Sequence, residues 1–176
     1  LTGSAFTFSN TVNAVDATDR NLTFGTGSGN ATFADAVGTT FNLGTITNIA
    51  GQTLTFSDAV TANTIANYGT LLFDSSSAKT VSSAITDNGT TTLQIINSAN
   101  DVAPGVITFS GNVAADTVTI GSTTKGGSAL FNGTVTGTNI NIVGGDHSSE
   151  NSLGNFANTV TATAITLDDN TGTATS

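Results

Sequence analysis

The chain has 176 residues, a net charge of -9 and only three basic side chains, Arg20, Lys79 and Lys125. That excludes binding along a phosphate backbone, which rests on Lys and Arg, and a polybasic membrane patch; the absence of cysteine excludes a disulfide framework and a thiolate metal site. Charged residues make up 9% of the chain, against roughly 25% in an average domain, so Thr, Ser, Asn and Gly must cover most of the surface.

The first fifty residues hold two copies of a short unit, Phe6-Thr-Phe-Ser-Asn-Thr-Val12 and Ala31-Thr-Phe-Ala-Asp-Ala-Val37. Apolar pairs, Leu22-Thr-Phe24 and Phe41-Asn-Leu43, follow them, and Gly25-Thr-Gly-Ser-Gly29 reads as a loop. Leu54-Thr-Phe-Ser-Asp-Ala-Val60 is a third copy, followed by a turn at Tyr68-Gly69. Residues 71–106 are the least regular. Leu71-Leu-Phe73 opens a degenerate copy, and Val81, Ile85, Leu93, Ile95 and Ile96 are spaced like short strands, with a turn at Asp87-Asn-Gly89. The one proline lies in Ser98-Ala-Asn-Asp-Val-Ala-Pro-Gly105. Three good copies close the chain: Ile107-Thr-Phe-Ser-Gly-Asn-Val113, Ala129-Leu-Phe-Asn-Gly-Thr-Val135 and Gly154-Asn-Phe-Ala-Asn-Thr-Val160. Loops at 121–127 and 144–152 separate them, and the polar tail from Asp168 to Ser176 is expected to fray or to run into a further rung.

Each clear copy places Val four residues after Phe. Phe56 to Ile65, Phe109 to Val118, Phe131 to Ile140 and Phe156 to Ile165 are each nine apart, and Ile120, Ile142 and Leu167 follow at eleven in the last three. Successive Phe residues at 8, 33, 56, 73, 109, 131 and 156 are 25, 23, 17, 36, 22 and 25 residues apart. The long interval is expected to hide a divergent copy around Leu93-Gln-Ile95, splitting it into two steps of roughly 18. Periods of about 20–50 residues mark repeat architectures, and apolar residues alternate over three to five positions rather than recurring at helical spacing. Phe and its Val share parity, yet the residue midway is Gly, Asp or Asn in each clear copy. A bend there resolves the conflict: a strand ends at Phe, the small pair turns the chain, Val starts a second strand, and the Val/Ile pair lies on a third.

Three short strands per coil is the geometry of an all-β, right-handed parallel β-helix, here of about seven to eight coils in one repeat-built domain over 1–176. No coil can bury its Phe, Val and Ile alone; its neighbours complete the core. The Phe residues are therefore read as a core stack at one fixed place in the coil, with Phe109 beside Phe131. An antiparallel β-sandwich is the alternative, because Ser-Asp, Ser-Gly and Asn-Gly pairs also close hairpins, but a sandwich does not require a fixed nine-residue offset.

Chemistry-bearing residues are sparse. His147, the only histidine, lies beside Asp146, Ser148 and Glu150, but adjacent loop residues do not form a Ser-His-Asp triad and no nucleophile-elbow motif accompanies them. Gly144-Gly-Asp146 carries only the start of a calcium-binding nonapeptide. Asp168-Asp169, and Asp16 and Asp19 with Arg20, could supply the carboxylate pair of a polysaccharide enzyme only if they faced each other across a cleft. Thr-x-Thr pairs at 117/119, 134/136 and 159/161 would make a flat Thr face like that of an ice-binding solenoid if stacked, but the earlier copies do not keep that register. No catalytic, cofactor-binding or metal residue is assigned, no cofactor is expected, and the chain is read as a non-enzyme. No run approaches the ~18 apolar residues of a membrane span, so no membrane insertion of this segment is expected. Without a leader at Leu1, the chain is expected to be a processed piece of a larger exported protein.

The units Leu130-Phe-Asn-Gly-Thr-Val-Thr-Gly-Thr-Asn-Ile-Asn-Ile142 and Ile107-Thr-Phe-Ser-Gly-Asn-Val113 resemble passenger repeats of large bacterial autotransporters, rickettsial surface antigens among them. That resemblance implies a β-helical passenger exported to the bacterial cell surface or secreted, acting as an adhesin or in the surface coat, and it supplies no catalytic residue. Host or matrix proteins or glycans are the partners it implies. A second role is a self-assembling subunit of an extracellular filament or surface layer. In that role copies join through end coils or edges, since a solenoid without polar caps exposes strand edges.

Overall fold

The structure, a computed structural model, describes residues 5–27, 29–99, 103–146 and 149–168. Strands follow one another around a three-sided coil. The first coil carries β1 (Phe6–Phe8) and β2 (Arg20–Thr23), the second β3 (Ala31–Phe33) and β4 (Leu43–Thr47), and the third β5 (Thr53–Phe56) and β6 (Ala62–Asn67). The fourth has three strands, β7 (Thr70–Asp74), β8 (Lys79–Val81) and β9 (Ala84–Asp87), as does the fifth, with β10 (Thr92–Ile96), β11 (Val106–Phe109) and β12 (Val113–Ala114). β13 (Thr117–Gly121) and β14 (Ser128–Phe131) follow. The long β15 (Val135–Val143) rounds a corner to close the sixth coil and open the seventh; after β16 (Leu153–Phe156), β17 (Val160–Asp168) does the same one coil later.

Every strand pair is parallel, which rules out the antiparallel sandwich and makes the molecule a parallel β-helix. Three faces result. The first runs β1-β3-β5-β7-β10-β13 into the second halves of β15 and β17, eight rungs in all. The second is β8-β11-β14-β16, extended toward the start of the chain by the bridges Val12–Val37, Val37–Val60 and Val60–Val81. The third runs β2-β4-β6-β9-β12 into the first halves of β15 and β17. The turn logic read from the sequence holds: β3, β5, β11, β14 and β16 each end at Phe, and β12, β15 and β17 each begin at Val.

The interior is built of rows, one residue per rung. On the first face one row reads Phe8, Phe33, Phe56, Phe73, Ile95, Ile120, Ile142, Leu167. The second face carries Val12, Val37, Val60, Val81, Phe109, Phe131, Phe156. The third carries Leu22, Ile46, Ile65, Ile85, Val113, Val135, Val160. Away from the ends these residues are fully buried, and each such side chain removed from water contributes roughly 1.5–3 kcal/mol.

These rows correct the expectation of one fixed place for Phe. Through Phe73 the repeat sets Phe on the first face, Val on the second and Ile or Leu on the third. From Phe109 onward the same repeat is advanced by one face, with Phe on the second, Val on the third and the Val/Ile pair on the first. The aromatic geometry records the change. Phe8–Phe33, Phe33–Phe56 and Phe56–Phe73 are stacked at 4.8, 4.9 and 5.2 Å. Phe73–Phe109 is edge-on at 87° and 5.2 Å. Phe109–Phe131 and Phe131–Phe156 are stacked again at 4.9 and 5.1 Å. Leu93-Gln-Ile95 is a rung, as expected, lying on Leu71-Leu-Phe73. The two steps of 18 are not found, because Phe109 stands one face beyond Ile95, over Val81.

Candidate functional site

Where interior residues alternate with outward ones, the first face presents two continuous outward rows. One reads Thr53, Thr70, Thr92, Thr117, Asn139, Ala164. The other reads Thr7, Thr32, Thr55, Leu72, Gln94, Thr119, Asn141, Thr166. No residue in either row is charged. Rungs of a sheet are about 4.8 Å apart and alternate residues along a strand about 6.6 Å, so the Thr hydroxyl and methyl groups form a two-dimensional array interrupted at Leu72, Gln94, Asn139, Asn141 and Ala164. The Thr-x-Thr register around the repeat Val is not kept in the earlier copies, as read from the sequence, since Val37 lies between Ala36 and Gly38 and Val60 between Ala59 and Thr61; the array is made instead from other positions of the repeat. Thr32 and Thr55 precede Phe in the repeat, whereas Thr117 and Thr119 flank the Val nine residues after Phe. The one-face advance brings these different repeat positions onto the same face. Of the Thr-x-Thr pairs seen in the sequence, only 117/119 lies there; Thr136 and Thr161 sit on the third face in a row with Ala114.

Charge is kept to the corners and flanks. Asp35 and Asp58 turn the chain from the first face to the second, each carboxylate accepting the next residue's N–H, Ala36 at 2.8 Å and Ala59 at 2.6 Å. The Lys79 ammonium donates to Asp58 at 2.9 Å. Partial burial pushes the Asp58 carboxyl up, but the Lys79 hydrogen bond, the Ala59 N–H and the Lys79 charge together outweigh it and hold the group below its ordinary value. At the corner from the third face to the first, Asn48 and Asn67 are fully buried. Asn48 Nδ2 donates to Asn67 Oδ1 at 2.9 Å and to the Thr70 carbonyl at 3.0 Å, and the Gly69 N–H donates to Asn67 Oδ1 at 3.1 Å. One coil further, Thr91 Oγ1 donates to Asp87 at 3.0 Å, and the Thr91 N–H donates to Asp116 at 3.1 Å. Sequence reasoning missed this ladder, although each Asn stands two residues after a third-face Ile, at Ile46-Thr-Asn48 and Ile65-Ala-Asn67.

The acidic candidates do not converge. Asp16 pairs with Arg20 at 3.1 Å in the open, and Asp19 accepts from Asn63 Nδ2 at 2.6 Å; both precede the first rung of the third face. Asp168 ends β17 in the last rung of the first face, seven rung steps or about 34 Å along the stack. Asp169 lies outside the described residues, as do His147 and Ser148. Of their loop, Gly144 N–H donates to the Asp168 carbonyl at 2.8 Å. Glu150, 2% exposed, pairs with Lys125 at 3.1 Å and ties the 144–152 loop to the corner one coil earlier. Among the described residues no three His, Cys, Asp or Glu side chains gather as a metal site, and no helix is long and apolar enough to cross a membrane.

Comparison of the chain with protein-family models, with curated proteins and with solved structures finds no match in any of the three.

Proposed function

We propose that this chain is a non-catalytic segment of a bacterial cell-surface or secreted adhesin or surface coat, in which the β-helix is a rod and its first face a contact surface for host or matrix proteins or glycans. The observation that carries the reading is the double outward row from Thr7 to Thr166, which offers uncharged polar donors and acceptors at every rung, Thr hydroxyls at all but the Asn139–Asn141 rung. The resemblance of residues 107–113 and 130–142 to autotransporter passenger repeats supports the extracellular setting. The test is binding of the purified chain to host cells and to immobilised matrix proteins and glycans, with Thr92→Glu on the first face and Thr136→Glu on the third. Binding lost in Thr92→Glu and kept in Thr136→Glu supports the reading. No binding to any of these, with attachment unchanged after deletion of the segment from its parent cell, overturns it.

A second reading is favoured by the same register. Short side chains carrying one methyl and one hydroxyl, repeated in two dimensions without charge, are suited to holding an ordered water layer, and hence to an ice surface. Growth of ice crystals in the presence of the chain separates the two. Shaped or arrested crystals, enhanced in Leu72→Thr and abolished in Thr92→Glu, favour ice; unaltered growth removes this reading.

A further inference from the structure

We propose that Asn88-Gly89 is a self-modification site, at which the folded chain converts Asn88 to an aspartyl or isoaspartyl residue without an enzyme, while the stack holds the other Asn-Gly pair, Asn132-Gly133, inert. In the reaction the Gly89 backbone nitrogen attacks the Asn88 Cγ. The N–Cγ bond forms, the Gly89 N–H proton passes to a base, and the Cγ–Nδ2 bond breaks with release of ammonia. Water then opens the cyclic imide at either carbonyl. One opening gives aspartate, the other isoaspartate, which carries an extra methylene in the main chain. Water and hydroxide are the only co-reactants. Glycine after the Asn suits the attack, because no Cβ hinders the approach of its nitrogen.

The two pairs differ in what surrounds them. Asp87 lies over Asn67 and Thr92 over Thr70, so residues 88–91 span a corner that Tyr68 and Gly69 span alone one coil earlier. The surplus bulges outward: Asn88, Gly89 and Thr90 are exposed, and a Cβ on Gly89 would meet nothing within 4 Å. The bonds on the reacting groups are local. Asn88 Nδ2 donates to Thr86 Oγ1 at 3.0 Å and to the Thr86 carbonyl at 3.2 Å. The Gly89 N–H donates to Asp87 Oδ1 at 3.1 Å, so the proton that must leave already points at a carboxylate able to accept it. The foot of the loop is fixed by buried Thr91, bonded to Asp87 and Asp116, and the tip can take up a methylene without shifting a rung. At Asn132-Gly133 the main chain lies directly on the coil before. A Cβ on Gly133 would come within 2.4 Å of the Gly111 carbonyl oxygen, and the next N–H, of Thr134, donates to Asn112 Oδ1 at 3.0 Å. Closing the imide turns the Asn–Gly peptide, and here that turn requires the corner to open first. Conversion of Asn88 adds a negative charge beside Asp87, at the corner that leads into Thr92 and the uncharged first face.

The experiment incubates the 176-residue chain in mildly alkaline buffer, folded and in guanidinium chloride. Both sites are followed by peptide mapping with mass spectrometry, and isoaspartyl methylation is a second readout. In the folded chain we expect Asn88 to convert at least about tenfold faster than Asn132, whose reaction waits on local opening. In the unfolded chain the two should convert at similar rates. Gly89→Ala, whose Cβ meets nothing within 4 Å, should melt like the parent and lose most of the Asn88 reaction, because its methyl hinders the attacking nitrogen. An Asn88 that converts no faster than Asn132 in the folded chain overturns the proposal. So does an Asn132 that stays slow when unfolded, since its protection would then lie in the local sequence and not in the stack. Conversion of Asn88 at the parent's rate in Gly89→Ala also overturns it, because water would then be attacking the side-chain amide directly.

Discussion

Phe109 is the residue at which two aromatic columns meet. Its ring is fully buried, stacked on Phe131 at 4.9 Å and met edge-on by Phe73 at 5.2 Å, and offset-stacked and edge-to-face pairs are both favourable arrangements. Truncation removes a ring shared by the coils on either side, so Phe109→Ala should cost about 3–5 kcal/mol. Phe8 stacks on Phe33 alone and is partly buried, so Phe8→Ala should cost less. Thr119, outward between Val118 and Ile120, should tolerate Ser within roughly 0.5 kcal/mol. Urea midpoints of the three variants check the order; a Phe109→Ala midpoint no lower than that of Thr119→Ser would mean the ring is not part of the core. The Asp58–Lys79 pair makes a pH-dependent contribution. Because the folded Asp58 carboxyl sits below its ordinary value of 3.8, its stabilisation is present above that value and is lost as pH falls through the lowered folded value. The pair is partly open to solvent, so the effect is modest. Asp58→Asn should lower the urea midpoint at neutral pH, and the gap from the parent should close below about pH 3.8.

At the scale of the element, the corners decide how tightly rungs approach. The Phe-Ser-Gly and Phe-Asn-Gly turns stack directly: a Cβ on Gly111 would come within 2.6 Å of the Ser83 carbonyl oxygen, and one on Gly133 within 2.4 Å of that of Gly111. Backbone lies on the far side of both contacts, so Gly133→Ala must push two coils apart, with a cost of about 1–3 kcal/mol typical of overpacking, read as a lowered melting temperature. Gly89→Ala, whose Cβ would meet nothing within 4 Å, is the control and should melt like the parent. These turns were legible in the sequence, because a small pair between two apolar residues of equal parity leaves no other way to keep a polar side chain out of the core. The Asn48–Asn67 ladder was not, because an Asn at a strand end reads equally well as an exposed turn, and only stacking shows that it faces another Asn rather than water. The Thr array was hidden for a related reason. It is spread over two different positions of the repeat, and aligning the repeat with itself separates residues that the fold puts together.

Over the whole molecule, the sequence repeat and the structural coil are distinct units. The spacing of Phe, Val and Ile was enough to show three strands per coil and a stacked core, since those follow from parity and period alone. The face on which each copy begins was not legible, because it depends on how many residues the corners between Phe73 and Phe109 consume. Val81 follows Phe73 by eight residues instead of four, and from there the coil proceeds with Val81 in the place of Phe, over which Phe109 then lies. The coil is therefore the unit that can be removed. Deleting residues 110–131 joins Phe109 to Asn132, as Phe131 is joined natively. It sets Phe156 over Phe109, Val135 over Ile85, and Ile140 and Ile142 over Leu93 and Ile95, so every interior row closes with an apolar partner. That variant should remain a cooperatively melting β-helix, shorter by about 4.8 Å and less stable for having lost one nearest-neighbour interface. Deleting residues 110–120 removes half a coil; the faces no longer align with those before the cut, and apolar rows meet corners. It should melt without a cooperative transition and expose apolar surface to a hydrophobic dye. Circular dichroism melts of the two deletions decide the matter. If the 110–131 deletion loses its β signal as completely as the half-coil deletion, the stability of the stack does not reside in the rung-by-rung rows.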